Sequence, residues 1–85
     1  MNVLFRPHAW EHLLHRQATG RVMLARINTL IKECRRHPLE GIGKPEPLKG
    51  ELAGYWSRRI DREHRLVYRV QGEDLEILSC RYHYI

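Results

Sequence analysis

Eighty-five residues, 42% of them hydrophobic, suffice for a single domain spanning 1–85 with a modest core, and they exclude a disordered chain. Fifteen Lys and Arg against ten Asp and Glu leave a net charge of +5, and twelve of those cations are arginine, whose planar fork fits phosphate. No apolar run approaches the ~20 residues that cross a bilayer, no signal peptide precedes the first polar residues, and Cys34 and Cys80 lack the dense spacing of a secreted disulfide scaffold. The expectation is a cytoplasmic protein, away from membranes, with two reduced and buried thiols.

Residues 2–6 are short and apolar enough for a first strand, and Pro7 suits the first position of a helix. Trp10, Leu13 and Leu14 follow at helical spacing and carry that helix to about Gln17, with Trp10 expected in the core. Thr19 is placed to cap a second helix, in which Met23, Ile27, Leu30, Ile31 and Cys34 recur at three- and four-residue steps. This helix ends near His37, because Pro38 disfavours helical geometry in the residue before it. Gly41, Gly43, Pro45, Pro47, Gly50 and Gly54 then punctuate a loop over 38–54 that is too long to be a plain connector. Three strand-like runs close the chain, over 55–60, 64–70 and 75–82, with Gln71-Gly72-Glu73-Asp74 as the hairpin turn between the last two. The grouping predicts an α+β fold: an N-terminal strand and two helices packed on one face of an antiparallel sheet.

Alternation along the middle run puts Leu66, Tyr68 and Val70 on one face and Arg65, Val67 and Arg69 on the other. The apolar set meets the helices, so the arginine set turns away from them. Arg58, Arg59, Arg62, Arg65 and Arg69 crowd this hairpin. They read either as a solvated, ion-paired surface or as an anion site that stabilises charge on a phosphate. Lys44 and Glu46 each precede a proline, which pushes both toward extended geometry. Glu46, held between Pro45 and Pro47, loses little freedom on being positioned, as a catalytic carboxylate requires. An exposed loop glutamate would look the same.

His83 follows the last strand, and an unperturbed imidazole titrates at ~6.5, close to neutrality. Together with Glu46 it supplies an acid and a base, the minimum for cleaving RNA through its own 2′-hydroxyl without metal or cofactor. His83 and Tyr84 can serve one site only if the strand ends near Tyr82. His8, His12 and His15 fall at i, i+4 and i+7 of the first helix, but no carboxylate or cysteine completes a metal-ligand set. Ser57, Ser79 and the thiols show no nucleophile–base–orienter pattern.

Four blocks now stand in order: Gly41-Ile42-Gly43-Lys44-Pro45-Glu46-Pro47-Leu48-Lys49, then Leu52-Ala53-Gly54-Tyr55-Trp56-Ser57-Arg58-Arg59-Ile60, Glu63-His64-Arg65-Leu66-Val67-Tyr68, and Cys80-Arg81-Tyr82-His83-Tyr84. In sequence and spacing they closely resemble the YoeB toxins of the RelE-like superfamily. The resemblance implies a microbial-ribonuclease-like α+β fold and a ribosome-dependent endoribonuclease that cuts mRNA in the decoding site and stops translation. It also implies a homodimer, neutralisation by a YefM-type antitoxin, and contact with operator DNA only through that antitoxin. Carried onto the matching positions, Glu46 is the general base, His83 the general acid, and Arg65 the stabiliser of the phosphorane-like transition state. Lys49 and Arg59 support the scissile phosphate or nearby backbone, and Tyr84 positions the substrate or the acid. The implied product ends are a 2′,3′-cyclic phosphate and a 5′-hydroxyl. A different class of reading is a basic module that binds RNA, ribosomes or DNA without cutting; its binding would follow salt and arginine content and be indifferent to Glu46.

Overall fold

The computed structural model describes residues 1–81, Thr19 by its backbone alone; the expected acid His83 and its neighbours Tyr82 and Tyr84 lie outside the described residues. Pro7 takes the first position of α1 (Pro7–Thr19), where its missing N–H and fixed φ cost nothing. Gly20, extended at φ −160° and ψ 95°, both ends this helix and caps α2 (Arg21–Arg36). The expected cap, Thr19, is instead the last residue of α1. Gly20 N–H donates to Arg16 O at 2.9 Å and Gly20 O accepts from Leu24 N–H at 3.0 Å, so one residue closes one helix and opens the next. At the far end His37 breaks from helical geometry, as Pro38 demands.

Strand β1 (Asn2–Phe5) precedes the helices, while β2 (Glu46–Pro47), β3 (Trp56–Arg59), β4 (Arg65–Gln71) and β5 (Asp74–Ser79) follow them. They form one sheet in the order β1-β5-β4-β3-β2. The last four run antiparallel, and β1 joins the edge parallel to β5. Both helices lie on one face, as expected. Ala9 and Leu13 of α1 and Ile27, Leu30 and Cys34 of α2 close over Leu66, Tyr68, Leu75, Ile77 and Cys80. Both cysteines are free and fully buried. No helix among the described residues is long and apolar enough to cross a membrane.

Further details depart from expectation. Trp10 is 46% exposed rather than in the core. The stripe that α1 buries is Ala9, His12 and Leu13, and Trp10 falls one step round the helix, edge-on to Phe5 of β1 at 5.9 Å. The loop over 38–54 is not all loop, since Glu46 and Pro47 pair with Ser57 and Trp56 at the sheet edge. Strand β5 stops at Ser79, short of Tyr82, after an irregularity in its pairing. Tyr68 faces Ile77 but Val67 faces Ser79, so Leu78 is an extra residue on β5. Such a bulge shifts the alternation by one. Ser79 therefore turns to the face away from the helices, and Cys80 returns to the core.

Lys44, expected to be extended before Pro45, instead has φ +51°. Its neighbour Gly43 (φ +84°) is held by the Arg59 N–H at 2.6 Å, and a Cβ there would meet Leu30 Cδ2 at 2.9 Å. The backbone is pinned against α2 at Gly43 and must reach the sheet edge at Glu46, so the reversal falls on Lys44. Gly72 carries the β4–β5 hairpin with φ +62° at the first turn position, where a side chain would be strained.

Candidate active site on the sheet face away from the helices

Register decides which charged side chains meet. Directly paired residues of neighbouring strands share a face. Glu46 pairs with Ser57, Ser57 with Val67, and Val67 with Ser79, which makes one row across β2, β3, β4 and β5. Its members Ser57, Val67 and Ser79 are buried, while Glu46 is exposed at the edge. One pair further along, Arg59 faces Arg65, both on this same side. At strand spacing of ~4.8 Å and ~3.4 Å per residue, the Glu46 and Arg65 backbones stand about 12 Å apart. Both belong to the face away from the helices, Glu46 at its exposed edge and Arg65 beside the β3–β4 turn.

Arg65 is held rather than free to search. It is only 8% exposed, and its Nη1 donates to the carbonyls of Asp61 (2.9 Å) and His64 (3.1 Å) in the β3–β4 turn. Its other guanidinium nitrogens make no hydrogen bond to the described residues. The turn is itself locked by Asp61, whose Oδ1 accepts the amides of Glu63 and His64 at 2.8 and 2.7 Å. Partial desolvation would raise the Asp61 pKa, but those two amides outweigh it and lower the carboxyl below its ordinary value. Lys49 and Arg59, the expected phosphate supports, are both exposed, Lys49 just beyond β2 and Arg59 at the end of β3.

The five-arginine cluster divides. Arg69 Nε sits 2.7 Å from Glu76 Oε1, its guanidinium lies over the Tyr55 ring at 4.8 Å, and the Tyr55 hydroxyl donates to the same Glu76 oxygen at 2.9 Å. Burial would raise the Glu76 pKa, but the Arg69 and Tyr55 hydrogen bonds prevail and lower it. Arg69 is thus committed within the sheet. Arg58 belongs to the opposite face: it pairs with Leu66, is 0% exposed, and reaches the carbonyls of Ile42 (3.0 Å), Glu40 (2.7 Å) and His37 as well as the Tyr68 hydroxyl (3.1 Å). Its role is to tie the loop before Glu46 to the core. Trp56, packed against the core two residues earlier, shares that face of β3.

His12 was missed as a structural group. It follows Ala9 and precedes Leu13 on the buried stripe, and its Nδ1 accepts the Cys80 N–H at 3.2 Å. Among the described residues no cluster of His, Cys, Asp or Glu could hold a metal ion. Two shallow depressions adjoin Met1, and neither is lined by an expected site residue.

Residues 5–84 match the family model described as the YoeB-like toxin of bacterial type II toxin–antitoxin systems. The chain is 57% identical over 83 residues to the toxin YoeB of Mycobacterium bovis, covering 98% of both proteins. Its fold is similar to the YoeB/ParE toxin from Agrobacterium tumefaciens, with a TM-score of 0.96 and 49% identity over 99% of this chain and 100% of that one. It is equally similar in sequence, at 49%, to the Staphylococcus aureus chains solved as a YoeB–YefM complex and as a YoeB dimer, each with a TM-score of 0.92, 99% of this chain and 98% of those being covered. With the family model and full-length relatives in agreement, this chain belongs to the YoeB-like toxins of bacterial type II toxin–antitoxin systems.

Proposed function

We propose that the protein is a cytoplasmic, ribosome-dependent endoribonuclease that cleaves mRNA in the decoding site through the RNA's own 2′-hydroxyl, without a metal ion. Glu46 takes the 2′-hydroxyl proton, and the freed oxygen attacks the adjacent phosphorus. Arg65 stabilises the charge on the non-bridging oxygens, with Lys49 and Arg59 supporting the strand. His83 protonates the departing 5′-oxygen and Tyr84 positions the substrate or the acid. The products carry a 2′,3′-cyclic phosphate and a 5′-hydroxyl.

The observation that carries this reading is the register that sets Glu46 at one side of the face and the anchored Arg65 two strands away on the same face. A donor already fixed where charge develops costs no reorganisation at the moment of reaction, which is the main source of electrostatic catalysis. Binding alone has no use for a carboxylate at the rim of a basic face, since it repels the phosphates the arginines attract. By analogy with its S. aureus relative, the chain forms a homodimer and binds a YefM-type antitoxin; the family resemblance further implies that this antitoxin neutralises it and mediates any contact with operator DNA.

The test supplies the same mRNA naked and on programmed ribosomes, then maps cut sites and end chemistry. Cutting only on ribosomes, with cyclic-phosphate ends lost in Glu46→Ala and His83→Ala, is the expected result. Full activity in both variants would sink the acid–base assignment. Equal cutting of naked RNA would mean a general ribonuclease, and tight binding without cutting would leave a purely electrostatic module.

A further inference from the structure

One buried, titratable side chain that this mechanism leaves unused is His12. It sits on the face of α1 that packs against β5 and is 6% exposed. Its Nδ1 accepts the backbone N–H of Cys80, the first residue past β5, at 3.2 Å, and the Cys80 thiol lies 3.6 Å from the Ala9 carbonyl one helical turn earlier. The bulge at Leu78 makes this contact possible, because it returns residue 80 to the helix face after Ser79 has turned away. A ring nitrogen accepts only when the proton is on the other nitrogen, so the contact requires neutral His12. Burial, and then the charges of His8, Arg81, Arg16 and His15, lower its pKa to about 4. The His8 ring stands 4.4 Å away, centroid to centroid.

We propose that His12 is a positioning residue for the catalytic tail: by holding the Cys80 amide, it fixes where the chain emerges from β5, three residues before His83. The inference rests on the acid role given above to His83. Three residues span at most ~10 Å of chain, so residue 83 must lie within that reach of Cys80. Misplacing a reacting group by about 1 Å can cost a hundredfold in rate. An imidazole suits this role because it is a rigid acceptor on a helix, aimed at a backbone donor that the sheet no longer satisfies. Burial first, and then the neighbouring His8, His15 and Arg16 of α1 and Arg81 beyond β5, disfavour the protonated form.

The experiment compares His12→Leu, which removes the acceptor, with two amides. Asparagine carries its oxygen at the position of Nδ1, whereas glutamine reaches the position of Nε2. Cleavage of ribosome-bound mRNA is followed well below the melting temperature of every variant, alongside hydrogen exchange of the Cys80 amide in the isolated protein. We expect His12→Leu and His12→Gln to lose at least tenfold in kcat, with KM for programmed ribosomes within twofold. His12→Asn should recover most of the rate, and Cys80 exchange should quicken only in the impaired pair. The Asn-against-Gln contrast stands even if His12→Leu fails to fold. Equal rates for Asn and Gln, or unchanged Cys80 exchange in the impaired variants, would overturn the clamp. Wild-type cleavage by His83→Ala would instead remove the acid on which the inference rests, while leaving the Cys80 exchange difference intact, so the two failures are told apart.

Discussion

Replacing Arg58 by alanine tests the link between the core and the candidate site. The guanidinium is fully buried, and no carboxylate forms an ion pair with it among the described residues. Its charge is balanced by dipoles: the carbonyls of His37, Glu40 and Ile42 and the hydroxyl of Tyr68. His37 caps the C-terminus of α2, so the cation also lies at the negative end of a helix. Tyr68 extends the staple by donating to the Pro38 carbonyl at 2.5 Å. Hydrogen bonds to a charged group are worth roughly 1.5–3 kcal/mol each, but the loop carbonyls are only part-buried and recruit water once abandoned. The expected loss is therefore about 3–5 kcal/mol, roughly half of what the four bonds would sum to. A domain of this length holds only about 4–13 kcal/mol in total. Thermal unfolding should accordingly fall by roughly 15–30 °C, at about 4–8 °C per kcal/mol. Cleavage should suffer even where the variant remains folded, because the segment released is the one that leads into Glu46. Tyr68→Phe should cost less alone and be strongly non-additive with Arg58→Ala, since both act on one network. A melting temperature for Arg58→Ala within about 4 °C of wild type would refute the staple.

Acid stability should report His12. The unfolded chain takes up its proton at ~6.5 and the folded one at about 4, so stability rises with pH between these values and is lost as pH falls through them, by on the order of 3 kcal/mol; the unfolding free energy of wild type minus that of His12→Asn, followed from pH 7 to 4, should shrink accordingly, and a constant difference would contradict the burial. Cys34 and Cys80, both fully buried and pushed up to about 11 by that burial, should react with a thiol reagent at pH 8 only as fast as the protein opens, and prompt labelling of either would disprove the packing. Among the arginines, Arg65→Ala should lower kcat at least a hundredfold, whereas Arg69→Ala, its charge already committed to Glu76, should change it by only a few-fold; similar losses in both would argue for bulk charge over placement. Arg59→Ala should weaken binding to programmed ribosomes and reduce the slope of log affinity against log salt by about 0.7, with an unchanged slope excluding a phosphate contact.

Much of this fold was written locally. Pro7, Pro38 and the three- and four-residue spacing from Met23 to Cys34 set both helices, because φ restriction and amphipathic periodicity act within a few residues. Alternation from Leu66 to Val70 likewise divided the hairpin into apolar and arginine faces, and the motif blocks around Glu46 and Arg65 marked the family. Local pattern failed where a long-range contact outweighed it. Lys44 left extended geometry because Gly43 is pinned by Arg59 and Leu30, and Trp10 lost the core to Ala9 because the sheet accepts only one stripe of a short helix. Arg58 and Arg59 are adjacent and chemically identical, yet one is a buried staple and the other an exposed cation. His12, one of three imidazoles at helical spacing, became an acceptor for the backbone of Cys80, just past β5 and 68 residues away. The order of residues was thus enough for most of the elements, the family and the candidate charged side chains. Which of those side chains meet was settled only on folding, because strand register and a single bulge at Leu78 choose the face each one occupies.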